Sequence, residues 1–419
     1  MQKLAIIGTG IAGMACGYFL RKEYDLTVYE QNDYIGGHTN TITADEDGTE
    51  VAADSGFMVY NQVTYPLLTK LFAELDAPTM PTSMSFSVQH VPAGLEYCGS
   101  GLNGLFAQRK NIFSPRFIRM LMQISRFNKE SIRILGKKEY ENQTVEDFCK
   151  EHELGNDFLY KYLIPMSSAV WSTPMDLMLR FPAQTLVRFF YNHGFLGLNT
   201  QHQWYTLRGG SRMYREKIIA PFRDRIRVNC GVLAVTRAGE KVRVKSADGQ
   251  EAEFDKVIMA GHGDEAYKIM QEKTAGEERL LSKFKYQENS AILHTDESAM
   301  PRLKSVWSSW NYRIEEKNGN MQPATIYWMN SLQQVSKKKN YFVTINDTGR
   351  IDPKKIIWQR MYEHPLFDVP AMLAQRELPA LNENGPVHYC GSYFRYGFHE
   401  DALLSAVNLC EHLLKRKVL

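Results

Sequence analysis

Leu4 to Ile7 is an unbroken apolar run, and DLTVYE (residues 25 to 30) reads as a second short strand ending in Glu30. Runs of this kind predict strands buried on both faces of a parallel sheet. Between them, Met14 to Leu20 is rich in helix formers, so the chain opens as strand, turn, helix, strand. SFSVQHVPAGLEYC (85 to 98) alternates apolar and polar positions about Pro92-Ala93-Gly94, as a hairpin would. Helical patterns fill roughly residues 100 to 195, and several short strands joined by AGE and ADGQ turns fill 225 to 261. PVHYCGS then precedes a final helix predicted over Glu400 to Lys417, amphipathic through Leu403, Val407, Cys410 and Leu414.

The turn of the first unit carries Gly8, Gly10 and Gly13 in a G-x-G-x-x-G spacing. Gly8 permits the sharp turn, Gly10 lets backbone approach a pyrophosphate, and Gly13 lets helix and strand pack closely. Phosphates there would meet free N–H groups at the positive end of the helix dipole, with Ile11 and Ala12 at its start. Glu30, 17 residues after Gly13, stands where an acceptor for a ribose 2′-hydroxyl is expected, next to Gln31. An acid at that place argues against a 2′-phosphate and so against NADP. The turn alone leaves NAD and FAD both open.

At 419 residues the chain is long enough for two lobes. Strands that fit a nucleotide domain occur at the start, middle and end. That predicts a discontinuous cofactor domain (1–80, 205–268 and 380–419) interrupted by a second, substrate-binding lobe (81–204 and 269–379). The formal charge of +3 offers no case for nucleic acid. Six cysteines without a C-x-x-C pair fit reduced, buried thiols in a cytoplasmic protein and give no zinc site. The N-terminus reads as the nucleotide fold, leaving no room for a signal peptide, and no apolar run is long enough to span a membrane. The charge is uneven, however: residues 109 to 138 hold nine Lys or Arg and one acid, Glu130. Apolar residues interleave with them, Ser114 is a candidate N-cap, and Pro115 would take the first helical position. This basic amphipathic region is a surface helix packed on the core or one that meets an anionic membrane or an acyl carboxylate.

Further glycines follow Glu30. QNDYIGGHTNT brings Gly36, Gly37, His38 and Thr39, and DSGFMVYN brings Gly56, Phe57, Met58 and Val59. Near the C-terminus, YCGSYFRYGFHEDALLSA carries Gly391, Ser392, Glu400, Asp401, Ala402 and Leu403. In order, GTGIAG, Glu30, GGHT, Gly391-Ser392 and GFHEDAL resemble the flavin-containing amine oxidase superfamily, which includes protoporphyrinogen oxidase and phytoene desaturases. The resemblance implies an α/β fold: a Rossmann-like FAD-binding domain with an inserted lobe of mixed sheet and helices. It implies tightly held FAD, with backbone of Val232 against the adenine and without a separate NAD domain. FAQRKN, YLIPMSSAVWSTP, LRGGSRMY, SVWSSWNY and YGFHEDALLSA are also similar to bacterial NAD/FAD-binding proteins often encoded beside cyclopropane-fatty-acid synthase-like methyltransferases. That similarity implies an unsaturated or methylated fatty-acyl substrate, with a lipid methyltransferase as a possible partner.

Flavin carries the hydride step, and the protein positions substrate and shapes the electrostatics. Where the family's aromatic cage has Tyr in G-Y-x-x-G-A, this chain has Phe398, which argues against amine oxidation. The residue-level candidates for a direct role are Tyr60, Arg208, Tyr312 and Phe398, with His38 and His399 behind them. His262 is expected near the FAD, and Trp171 and Trp310 read as core. His399, Glu400 and Asp401 do not form a metal site, because adjacent helical residues point apart. Three activities remain compatible with these residues: oxidation or saturation of a C–C bond, a redox-neutral double-bond shift, and a flavin-bearing accessory subunit; an ordinary amine oxidase is a fourth, less favoured by the missing cage tyrosine.

Overall fold

The computed structural model describes residues 1–197 and 200–419; residues 198 and 199, within the segment 81–204 assigned to the second lobe, lie outside the described residues. The first apolar run forms the strand Gln2–Ile7 at the centre of a five-stranded sheet. It is flanked in parallel by Tyr24–Tyr29 and Lys256–Met259, and the edges are Ile226–Arg227 and Val387–Tyr389. Leu4 and Ile6 lie beside Leu26 and Val28 on one side and Lys256 and Ile258 on the other. Parallel neighbours on both sides, with helices across the faces, bury this strand and account for its unbroken apolar run.

The first helix spans Ile11–Leu20 and the last His399–Leu414. They pack against each other in one core containing Ala15, Leu20, Leu403, Ala406 and Val407. Cys16 lies 3.8 Å, sulfur to sulfur, from Cys390 in this core, and all six thiols are buried and free. The last helix stops short of the predicted Lys417 because Lys415 takes a left-handed conformation and ends it.

A seven-stranded sheet forms a second layer, in the order Ile356–Leu366, Lys285–His294, Phe342–Ile345, Asn320–Trp328, Trp310–Lys317, Phe86–His90, Leu95–Cys98. Its last two strands are the predicted hairpin, with Val88 opposite Tyr97. The strands Val232–Ala238, Lys241–Ser246 and Glu251–Phe254 make a separate antiparallel ribbon. Helices cover the stretch between 101 and 192. In the basic region, the Ser114 hydroxyl accepts from the Phe117 N–H at 3.3 Å and Pro115 opens the helix Pro115–Glu130. Its inner face places Phe117, Met120 and Phe127 in a core shared with Trp171 and Phe189.

Candidate functional site

A cavity of about 750 Å³ runs between the glycine turn and the aromatic residues of the helical layer. Both helix N-termini open on it: Gly10 and Ile11 at one, Phe398 and His399 at the other. Each presents backbone N–H groups without intrahelical partners, so two positive dipole ends converge there.

Local geometry explains the glycines. Gly8 sits at φ +100°, in the left-handed half of the map. A Cβ on Gly13 would lie 1.9 Å from the Gly8 carbonyl oxygen, so the helix can approach the turn only without one. A Cβ on Gly10 would meet no protein atom within 4 Å. Packing therefore requires Gly13, whereas Gly10 leaves a space that a ligand can use. Glu30 takes hydrogen bonds from the Thr9 N–H (3.1 Å) and hydroxyl, and from the Asn32 N–H (2.9 Å) and amide (2.8 Å). These hold its carboxylate in the cavity wall beside Gln31, where a ribose hydroxyl can reach it.

Gly8, Gly10, Ile11, Ala12, Gly37, His38, Gly56, Phe57, Met58, Val59, Val232, Gly391, Ser392 and Ala402 also line the cavity. Other candidate cofactor residues stand behind it. Gly36, at φ +125°, turns the backbone against Thr39, and Thr39 shares a 2.6 Å hydrogen bond with the Tyr214 hydroxyl. Leu403 is core. Glu400 accepts the N–H groups of Leu67 (2.8 Å) and Leu68 (2.9 Å), capping the helix Pro66–Glu74. Asp401 accepts the Phe398 N–H at 3.0 Å. Both carboxylates thus serve helix ends, which leaves backbone donors, not acids, facing the space for phosphate.

Three of the four candidates for a direct role lie elsewhere. Tyr60 is buried, 5.1 Å from Phe72 between ring centroids, in a strand that pairs with Trp204–Leu207. Arg208 is exposed, and its backbone N–H donates to the Pro78 carbonyl. Its turn instead delivers Ser211, whose N–H (2.9 Å) and hydroxyl (2.8 Å) bind the buried carboxylate of Asp54. Tyr312 borders a separate cavity of about 370 Å³. Phe398 does line the main cavity, stacked on Phe189 at 4.9 Å and 5.8 Å from Trp171. Trp171 and Trp310, read as core, both border this space as well. Tyr65, Phe195 and Trp204 add to the aromatic part of its lining.

Four imidazoles also face the cavity. Burial depresses His38 well below its ordinary value, with His364, His262 and His399 adding to the effect. Burial takes His399 down to about 3; its ring lies flat on Phe57 at 3.9 Å, with the Tyr214 hydroxyl 2.6 Å from Nε2. His364 falls to about 4, from burial and then from His262. His262 is the exception: burial lowers it, but Glu363, Glu265 and Asp264 outweigh that and raise it. Sequence patterns did not single out Tyr362 or His364, although R-x-Y-x-H in the strand Ile356–Leu366 has the alternation of one strand face.

A model of the "flavin containing amine oxidoreductase" family matches residues 11–347. No curated protein matches the chain. Among solved structures, putrescine oxidase bound to putrescine is similar at TM-score 0.69 and 13% identity, covering 99% of both chains. Cyclohexylamine oxidase from Brevibacterium oxydans IH-35A is similar at TM-score 0.69 and 15% identity, again over 99% of both. A CLA-producing fatty acid isomerase from P. acnes is similar at TM-score 0.66 and 15% identity, over 97% of both. FAD fits the glycine cradle, the converging helix ends and the held carboxylate.

Two expectations can be checked directly. Gly10→Ala should leave the melting temperature unchanged but weaken FAD binding at least tenfold, about 1.4 kcal/mol. Gly13→Ala should destabilise the chain itself by about 1–3 kcal/mol; equal melting temperatures for the two variants would refute the distinction. Burial raises the Asp401 carboxyl from 3.8 to about 7. The folded state therefore holds a proton that the unfolded chain releases earlier, and stability falls as pH rises from about 4 through 7, by up to about 4 kcal/mol. Asp401→Asn keeps an acceptor for the Phe398 N–H, so its melting temperature should gain on the wild type across that window. Parallel melting profiles would contradict the shift.

Proposed function

The chain belongs to the flavin-containing amine oxidoreductase family and is an FAD-dependent oxidoreductase, and on that premise we propose that its substrate is a hydrophobic, fatty-acyl or lipid molecule reacting at a carbon–carbon bond. The observation that carries this reading is the cluster of aromatic side chains in the cavity lining, Tyr65, Trp171, Phe189, Phe195, Trp204 and Phe398. Such a surface favours an apolar chain by burial. Bound flavin supplies the acceptor for a hydride. The protein's part is to shape the channel, hold the chain against the flavin and keep water out. Phe398, fixed between Phe189 and Trp171, supplies apolar surface without the hydroxyl of a cage tyrosine. A redox-neutral double-bond shift is the second reading. It is supported by the shared fold with a fatty acid isomerase, since that fold accommodates a fatty acid in the P. acnes protein.

The basic helix extends the proposal to an anionic membrane surface as the place where lipid is taken up. At about 100° per residue, Met122 lies opposite the buried face formed by Phe117, Met120 and Phe127. It is 67% exposed, flanked by Arg119, Arg126 and Lys129, and Phe113 before the helix is 85% exposed. The nearby acids are already paired, Glu130 with Arg133 (2.6 Å) and Asp157 with Arg116. Exposed apolar side chains among unpaired cations suit an anionic lipid interface, at about 1 kcal/mol for each basic residue near the surface. No described helix is long and apolar enough to cross a membrane.

The first test is the absorption spectrum of the purified protein as extracted cellular lipids are added without oxygen. A lasting loss of the oxidised flavin band is expected for a dehydrogenase, and a transient loss for an isomerase. A band that never responds to any lipid fraction would overturn the dehydrogenase and isomerase readings and favour a reductase awaiting an electron donor or an accessory role beside a lipid methyltransferase. Separately, the wild type should float with phosphatidylserine vesicles, while replacement of Arg116, Arg119, Arg126 and Lys129 by Gln should abolish flotation. Equal flotation of the two proteins would remove the membrane from the proposal.

A further inference from the structure

A polar relay leads to His364 in the wall of the main cavity from Ser290 and Asn346, which border the smaller one, and its direction can be read from a backbone group. The Ser290 N–H can only donate, and Asn346 Oδ1 receives it at 3.1 Å. This fixes the Asn346 amide, so its Nδ2 donates to Asn289 Oδ1 at 2.6 Å. The carbonyl of Asn289 is thereby engaged, and its Nδ2 must face the remaining partners. One of these, the Gln287 carbonyl at 3.4 Å, can only accept, which agrees with that assignment. The other is Nδ1 of His364 at 2.9 Å. Asn289 is fully buried, so no water competes for its amide. An uncharged imidazole whose Nδ1 accepts a hydrogen bond carries its own proton on Nε2.

Position along the cavity indicates what that proton faces. The strand Ile356–Leu366 runs the length of the wall. Arg360 marks its nucleotide end, stacked over Tyr34 at 4.2 Å and 3.4 Å from Asp33. Pro365 marks the other end, 3.3 Å from where a Cβ on Gly397 would stand, beside Phe398. Gln287, two residues before Asn289, donates to the carbonyl of Ser172, next to Trp171. His364 therefore lies toward the aromatic end, its ring edge-on to His38 at 5.1 Å. A dinucleotide whose ADP half occupies the glycine turn directs its redox ring to that same end.

We infer that the Nε2–H of His364 is a hydrogen-bond donor to the redox ring of the bound flavin, held in that sense by the Ser290–Asn346–Asn289 relay. His364 is a positioning residue: with Nδ1 occupied by an N–H donor, it has no free lone pair with which to act as a base. A fixed, uncharged donor favours added electron density on the ring and needs no reorganisation when that density arrives. The inference deepens the flavoenzyme reading and rests on it.

The test uses the full-length, FAD-loaded protein. His364→Phe keeps a planar ring but removes the donor; it should shift the absorption band of the bound flavin and raise the FAD dissociation constant about tenfold. His364→Gln retains an N–H and should stay within about threefold of wild type, with the band near its original position. Asn289→Asp offers Nδ1 only acceptors, so it should draw the proton to Nδ1 and shift the band as His364→Phe does while the imidazole stays in place. Circular dichroism checks that each variant folds; if His364→Phe does not, the other two carry the comparison. A wild-type band in His364→Phe, or in an Asn289→Asp variant that stands in for it, would overturn the inference. So would weaker FAD binding with an unchanged band, which would put the contact on the ribityl or phosphate part. A wild-type protein that takes up no FAD would instead bring down the flavoenzyme reading itself.

Discussion

The architecture depends on one close approach, that of the first helix to the turn leaving the central strand. With Gly13 lacking a Cβ, the helix start comes against the Gly8 carbonyl, at a distance that any side chain would forbid. That contact aims the N-terminus of the helix at the cavity and brings Cys16 and Leu20 into a common core with the last helix. The last helix in turn presents its own N-terminus to the same space. A binding site for a dianionic group thus arises from backbone orientation.

Side-chain carboxylates around this site have structural partners. Glu30 is held by Thr9 and Asn32, Glu400 by Leu67 and Leu68, and Asp401 by Phe398. Asp54 is fixed by Thr41, Ser211 and Gln333. A buried carboxyl needs hydrogen-bond partners, and each of these finds donors, although burial still raises Asp54, Glu400 and Asp401 above their ordinary values. Segments distant in sequence are joined in this way. Glu400 links the final helix to Pro66–Glu74, and Asp54 links the first third of the chain to the turn at 209–211. The glycines of that turn place Ser211, which gives LRGGSRMY a structural meaning and leaves Arg208 at the surface.

The cavity lining is rich in aromatic side chains, and its imidazoles are mostly uncharged. Burial pushes His38, His364 and His399 away from protonation, and neighbouring imidazoles add to the effect at His38 and His364. Only His262, beside Glu363, is pulled the other way. This part of the cavity therefore offers stacking surface and oriented hydrogen bonds.

The sequence by itself determined the local features: the strand–turn–helix opening, the hairpin at 85–98, the Ser114 cap and the order of glycine-rich segments matching a flavin site. Each depends on neighbours a few residues apart, where backbone sterics, periodicity and capping leave few alternatives. The tertiary structure decided which side chains share a space. Tyr60 and Tyr312 were reasonable candidates by type, but strand pairing turns one into a core and sets the other beside a different cavity. Trp171 is core, as its sequence context suggested, and one edge of its large ring also meets the void. His364 carried no local signal at all. Its role depends on Asn289 and Asn346, supplied by two other strand segments, and a hydrogen-bond direction that begins at a backbone N–H 74 residues away in sequence can be read only once the sheet has formed.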